Sequence, residues 1–191
     1  MYIVMDIFFR TCNRILKIFY SLFTKLFYGK KIYIKLDTKL HITTKISISK
    51  NSSIFLGSNV SSRKNLLLMA THESKDKEGG VIRIGANCFF NSNCSVVAMR
   101  MIEIGNDCIF GENVHIYDHN HNYKEKNRLI REQGFSVNPV KIGNNCWIGT
   151  NVVILKGITI GNNSIIGAGC VVHKNVPANS ILLSNGRCIA K

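Results

Sequence analysis

The segment VKIGNNCWIGTNVVILKGITIGNNSIIGAGCVVHKNVP (residues 140–177) decides the fold. Within it an aliphatic residue returns at every sixth position, at Ile142, Ile148, Ile154, Ile160, Ile166 and Val172, and glycine directly follows four of them, at Gly143, Gly149, Gly161 and Gly167. Neither a helix nor a simple strand has this period. A fixed short repeat means one unit stacked on itself, and six residues suit a parallel β-helix whose short strands end at corners. The aliphatic side chain points inward to fill the prism. The glycine takes the corner, where φ > 0 or close backbone approach excludes a side chain.

The same period extends upstream. It runs through Ile84, Phe90 and Val96, slips by two residues at MRMIEIG, and restarts at Ile104, Phe110 and Ile116. A coil is therefore three hexads, about eighteen to twenty residues. Ile42, Ile48, Ile54 and Val60 continue the six-residue spacing, which places the start of the solenoid near residue 31. Two polar segments break it. ATHESKDKEGG (residues 70–80), with His72 and Glu73, reads as a loop between coils. The longer YDHNHNYKEKNRLIREQGFSVNP (residues 117–139) is of a length that in a compact repeat usually serves function.

The chain of 191 residues suits one domain. The division expected is an amphipathic basic helix in residues 1–30, a β-helix in 31–183 carrying the loop 117–139, and a tail, 184–191. A net charge of +14 makes the surface attractive to anions, whereas the motif set of a nucleic-acid reader is absent. Seven cysteines without C-x-x-C spacing argue against zinc and against a disulfide framework. Cys88, Cys94, Cys108, Cys146 and Cys170 each lie four residues after a repeat aliphatic, as small inward side chains of a reducing, cytoplasmic compartment. Residues 6–28 carry Phe8, Ile15, Phe19, Leu22 and Leu26 at helical spacing, with Arg10, Arg14, Lys17 and Lys25 between them. Charge interrupts this stretch too often for a membrane span. Two readings stand: an interfacial helix at the inner face of an anionic membrane, or a helix covering the open end of the solenoid or a partner subunit.

The long loop opens with Asp118-His119-Asn120-His121. Taken alone, these residues can form a general base with an orienting carboxylate, part of a metal site, or a solvated turn.

The repeats, the internal loop and the ending IGAGCVVHKNVP (residues 166–177) closely resemble the hexapeptide-repeat acyltransferases, in particular the maltose, galactoside, nodulation-factor and polysaccharide O-acetyltransferases. That resemblance, over roughly residues 40–191, implies a left-handed parallel β-helix, an exception to right-handed crossovers. It also implies homotrimers with active sites between subunits, and acetyl-CoA as the acyl donor with no metal. Against the family pattern V-x-I-Y-x-x-x-H, the segment VHIYDHNH (residues 114–121) puts His121 at the catalytic histidine, with His119 as second candidate and Tyr117 and Asp118 beside the acceptor. The F-x-N-x-N match places Asn91 and Asn93 at the acceptor hydroxyl. Trp147 falls where the family has an aromatic near pantetheine, and the Thr150 N–H where it stabilises the thioester oxyanion. Gly149, Gly167, Ala168 and Gly169 would let the cofactor approach the backbone. His173, Lys174, Arg187 and Lys191 would meet its nucleotide end, although the last turn, SNGRCI (residues 184–189), departs from the family's G-N-P-A-K-V.

The function so implied is transfer of acetyl from acetyl-CoA to a sugar hydroxyl, on a bacterial surface polysaccharide or its precursor. N-acetylation of an amino sugar and acetylation of a small acceptor such as serine or an antibiotic are the neighbouring alternatives. A zinc carbonic-anhydrase-like site using His115, His119 and His121, or a non-catalytic scaffold, is the reading from another class.

Overall fold

A computed structural model of the chain describes residues 23–24, 26–35, 37–72 and 78–191. Most of the basic helix of residues 6–28, and Glu73 with its neighbours in the 70–80 loop, lie outside the described residues.

Three parallel sheets form the sides of a prism. Sheet I stacks Ile32–Ile34, Ser53–Leu56, Val81–Ile84, Met101–Ile104, Val140–Ile142 and Thr159–Ile160. Sheet II stacks Ser61–Ser62, Phe89–Phe90, Ile109–Phe110, Trp147–Ile148, Ile165–Ile166 and Ser180–Leu182, and ends in Cys188–Ala190. Sheet III stacks Lys45–Ile48, Leu67–Ala70, Ser95–Ala98, His115–Tyr117, Val153–Ile154 and Val171–Val172. The chain visits I, II and III in turn, so each strand pairs with its counterpart one coil away.

The inward columns are the periodic aliphatics. Ile84, Ile104, Ile142 and Ile160 lie over one another in sheet I, Phe90, Phe110, Ile148 and Ile166 in sheet II, and Val96, Ile116, Ile154 and Val172 in sheet III. All are buried. Phe90 and Phe110 stack with ring centroids 4.4 Å apart. The five cysteines read as inward residues are buried too, and Cys94 Sγ sits 3.2 Å from the Gly111 carbonyl of the next coil.

The first coil follows another register than the spacing Ile42, Ile48, Ile54, Val60. Ile42 is 52% exposed, and Ile34, Leu40 and Ile46 point inward in its stead. Lys45–Ile48 turns both Ile46 and Ile48 toward the core, because a strand has a period of two. Ile48 ends one strand and Ile54 belongs to the next, so the six-residue step between them crosses a corner out of phase with the repeat. Coil length also varies more widely than eighteen to twenty. Residues stacked at one corner differ by 20 at Asn87 and Asp107, by 18 at Asn145 and Asn163, and by only 16 at Asn163 and Asn179.

Glycine is mostly not the residue that takes φ > 0 at these corners. Gly143, Gly149, Gly161 and Gly167 have ordinary φ; the left-handed residues include Asn87, Asp107, Asn145 and Asn163 at the I-to-II corner and Asn93, Asn113 and Asn151 at the II-to-III corner, where Gly169, at φ 74°, stands above Asn151 in the same role. Asparagine tolerates this region, and its amide then pairs up and down the stack: Asn145 Nδ2 donates to Asn163 Oδ1 at 3.0 Å, and Asn163 Nδ2 to Asn179 Oδ1 at 3.1 Å. Gly143, Gly149, Gly161 and Gly167 answer to close approach alone. A Cβ on Gly149 would lie 2.7 Å from the Ala168 nitrogen of the next coil.

At the top, Cys188–Ala190 pairs antiparallel with Ser180–Leu182, so residues 184–191, expected as a tail, fold back as a hairpin on sheet II. At the bottom, Tyr28, in the last helical turn before Gly29, donates its hydroxyl to the Ile46 carbonyl at 2.6 Å, while Phe23, Leu26 and Phe27 are exposed. Among the described residues no helix is long and apolar enough to cross a membrane.

Candidate functional site

The residues singled out in the sequence fall on two different edges of the prism. Along the II-to-III edge, coil upon coil, come Asn91, Gly111, Gly149 and Gly167, linked by Asn91 N–H to the Phe110 carbonyl, Gly111 N–H to Ile148 and Gly149 N–H to Ile166. Thr150 and Ala168 follow on the same edge. The Thr150 amide donates no hydrogen bond within the described chain, although Gly149 N–H and Asn151 N–H on either side are both engaged, at 2.8 Å each. Such an unengaged, rigidly held N–H is what an oxyanion requires. Asn93 takes φ 62° at this corner and its Oδ1 accepts from Asn65 Nδ2 at 2.9 Å, so its side chain serves the stack.

Beside this edge, the outer face of sheet II carries an apolar column in register, Phe89, Ile109, Trp147, Ile165 and Ile181. Trp147 is 55% exposed. Toward the top, Gly169, His173 and Lys174 line a pocket of about 520 Å³ with Leu182, Ser184 and Cys188. Arg187 and Lys191 are not in its wall, and Lys191 Nζ instead approaches the Asn163 carbonyl, at 3.4 Å, on the I-to-II corner.

The histidine loop leaves from the III-to-I edge. His119–His121 pairs antiparallel with Phe135–Val137, a short hairpin that projects from the prism. Asp118 anchors it. Its carboxylate, 0% exposed, accepts the backbone N–H groups of Met99 (2.9 Å), Arg100 (2.7 Å) and Met101 (2.8 Å) from the coil below, and His119 Nδ1 lies 3.0 Å away. The sequence reading placed Asp118 beside the acceptor; in the fold its carboxylate is buried and engaged, and its oxygens hold the tight turn between sheets III and I. The His119 side chain is only 16% exposed, with Tyr117 and Phe135 edge-on to its ring at 6.1 and 5.7 Å. His121 is exposed and packs on Phe135 at 4.3 Å between ring centroids. Phe135 escaped the sequence reading, because nothing in a polar loop announces that its two halves pair. His115 Nδ1 lies 2.7 Å from Ser95 Oγ, and no group of three potential metal ligands occurs among the described residues.

Within one chain the two edges do not meet. Sheet III stands between them, with strands of up to four residues, about 13 Å at ~3.3 Å per residue.

Comparison with known proteins bears on this geometry. The family model for bacterial transferase hexapeptides (six repeats) matches residues 139–174, and that for the hexapeptide repeat of succinyl-transferase matches residues 81–117. The crystal structure of a maltose O-acetyltransferase from Clostridium difficile 630 is 35% identical, with a TM-score of 0.59 over 71% of this chain and 67% of that one. The chain belongs to the hexapeptide-repeat transferase family. With that family comes the hand of the solenoid, a left-handed parallel β-helix. Nodulation protein L of Rhizobium leguminosarum bv. viciae is 46% identical over 107 residues, 54% of each chain. A galactoside acetyltransferase in complex with coenzyme A matches with 27% identity and a TM-score of 0.53, covering 81% of this chain and 65% of that one. The chain spans about half the length of the curated relatives it matches.

Proposed function

We propose that this chain is an acetyl-CoA-dependent O-acetyltransferase acting on a sugar hydroxyl, as a homotrimer whose active sites form between neighbouring copies. The observation that carries the reading is the separation of the two edges. One edge holds Asn91, Trp147, the unengaged Thr150 amide and the glycine path to the upper pocket; the other holds the histidine hairpin. A second copy laid against sheets II and III brings one copy's histidines to the other's Thr150. Apolar outward residues on both sheets, Ile109 and Trp147 on II and Val153 and Val171 on III, favour such packing, whereas sheet I carries Arg83, Glu103 and Lys141 on its outside. Coenzyme A in the galactoside acetyltransferase relative agrees with a long, thin cofactor lying along the glycine path.

In the reaction, His121 takes the proton of the acceptor hydroxyl as its oxygen bonds to the thioester carbonyl carbon. The carbonyl oxygen becomes the oxyanion and receives the Thr150 N–H. The C–S bond then breaks, and the CoA thiolate regains the proton from the imidazolium. Asn91 orients the hydroxyl. Orientation and one base supply the rate, and no cysteine nucleophile is involved. The acceptor we favour is a bacterial surface polysaccharide or its precursor, with a peripheral membrane contact through residues 6–28.

The test is release of free CoA from acetyl-CoA in the presence of a panel of sugars, with a mass gain of one acetyl on the acceptor. His121→Ala should lower kcat by roughly 100- to 10,000-fold with the oligomer intact. Retention of most activity would remove His121 as the base, and the same assay on His119→Ala decides whether that ring replaces it.

A further inference from the structure

The outer face of sheet II changes character at one coil. Above, it is the apolar column Phe89, Ile109, Trp147; below, the same column continues as Ser61 and Lys39. At this step lies a pocket of about 460 Å³, within the range of small-ligand sites, lined by Lys39, His41, Arg63 and Lys64 with Ser92 and Phe89. No acidic residue lines it. Among the described residues Lys39, Arg63 and Lys64 form no salt bridge.

Arg63 and Lys64 occupy one level of the edge, with Lys39 one coil below. Arg63 N–H bonds the Phe90 carbonyl, which sets Arg63 directly beneath Asn91, and Asn93 N–H bonds the Lys64 carbonyl, which sets Lys64 beneath Ser92. In the coils above, the places of Arg63 and Lys64 are taken by Gly111 and Glu112, Gly149 and Thr150, and Gly167 and Ala168. Glu112, the one carboxylate in this column, lies on the far side of Ser92 from Lys64. One coil step is about 4.8 Å, roughly the width of a sugar ring.

The geometry points to an acidic acceptor: a sugar whose carboxylate or phosphate is held by Arg63 and Lys64 while a hydroxyl about one ring away rests at Asn91. This rests on the acetyl-transfer reading for the place of the hydroxyl, but the anion site itself does not. Phe89 supplies the apolar wall for a ring face, Ser92 a hydroxyl partner, and Arg63 a planar fork matched to either anion.

Binding to the full chain, without acetyl-CoA, is measured by calorimetry for galactose, galacturonate and galactose 6-phosphate, in the wild type and in the exposed double variant Arg63→Gln/Lys64→Gln. The expected result is a Kd at least tenfold lower for one or both anionic sugars than for galactose, lost in the double variant and weakened by salt. The carboxylate and phosphate arms tell which anion fits. Equal affinity for the three sugars, binding of none, or a preference that survives the double substitution would overturn the proposal. Should the anion preference hold while no sugar is acetylated, the transfer reading fails and the anion site stands.

Discussion

Replacing Asp118 tests how the histidine hairpin is held. The carboxylate is fully buried and receives three backbone N–H groups, at 2.9, 2.7 and 2.8 Å, in addition to His119 Nδ1 at 3.0 Å. Asp118→Ala leaves the amides of Met99, Arg100 and Met101 without an acceptor inside the protein. Each buried unsatisfied donor costs about 1–3 kcal/mol, and water reaching the vacated space recovers part of it, so the expected loss is about 3–6 kcal/mol. Asp118→Asn keeps the shape and one oxygen. Placed at the Oδ2 position, that oxygen still serves Arg100 and Met101, while the amide group faces Met99 N–H, for a loss of about 1–3 kcal/mol. Urea unfolding followed by circular dichroism gives both values. A loss below 1 kcal/mol for Asp118→Ala would refute the assignment of this carboxylate as the anchor of the turn.

The remaining predictions concern the stack. Asn145 sits at φ 53° and bonds Asn163 above it, so Asn145→Val should cost about 1–2 kcal/mol in left-handed strain and more through the lost bond, whereas Asn145→Gly should cost under about 1, both read from urea midpoints. Among the described cysteines Cys188 alone is exposed, and it should react with iodoacetamide in the native protein while Cys88, Cys94, Cys108, Cys146 and Cys170 require denaturant. Burial raises the Cys94 thiol from 9.0 to about 11. The unfolded thiol then ionises first, so stability should fall as pH rises from about 9 to about 11, and Cys94→Ala should flatten that part of a pH series of thermal melts.

The six-residue return of aliphatics from Ile84 onward needed no tertiary information, because in a solenoid each inward residue touches its equivalent one coil away and every coil repeats the same constraint. The same logic made the five cysteines legible as core and residues 117–139 legible as an excursion. Where the repeat is imperfect, the sequence alone was ambiguous: Ile42, Ile48 and Ile54 keep the spacing, yet strands of four residues let two positions face inward, and only packing selects Leu40 and Ile46 over Ile42. Local sequence determined the close approach of Gly149 to the coil above, but most of the φ > 0 corners, Gly169 excepted, fell to asparagines and Asp107, which use the side-chain ladder glycine lacks. The site divides in the same way. Asn91, Trp147 and Thr150 are singled out by the resemblance to the family's motifs; that they share one edge while the histidines project from another, and that Asp118 is spent on three backbone amides, depends on which coil lies beneath which. Those contacts join residues far apart in sequence, and their partners are set by the folded stack, which no local pattern encodes.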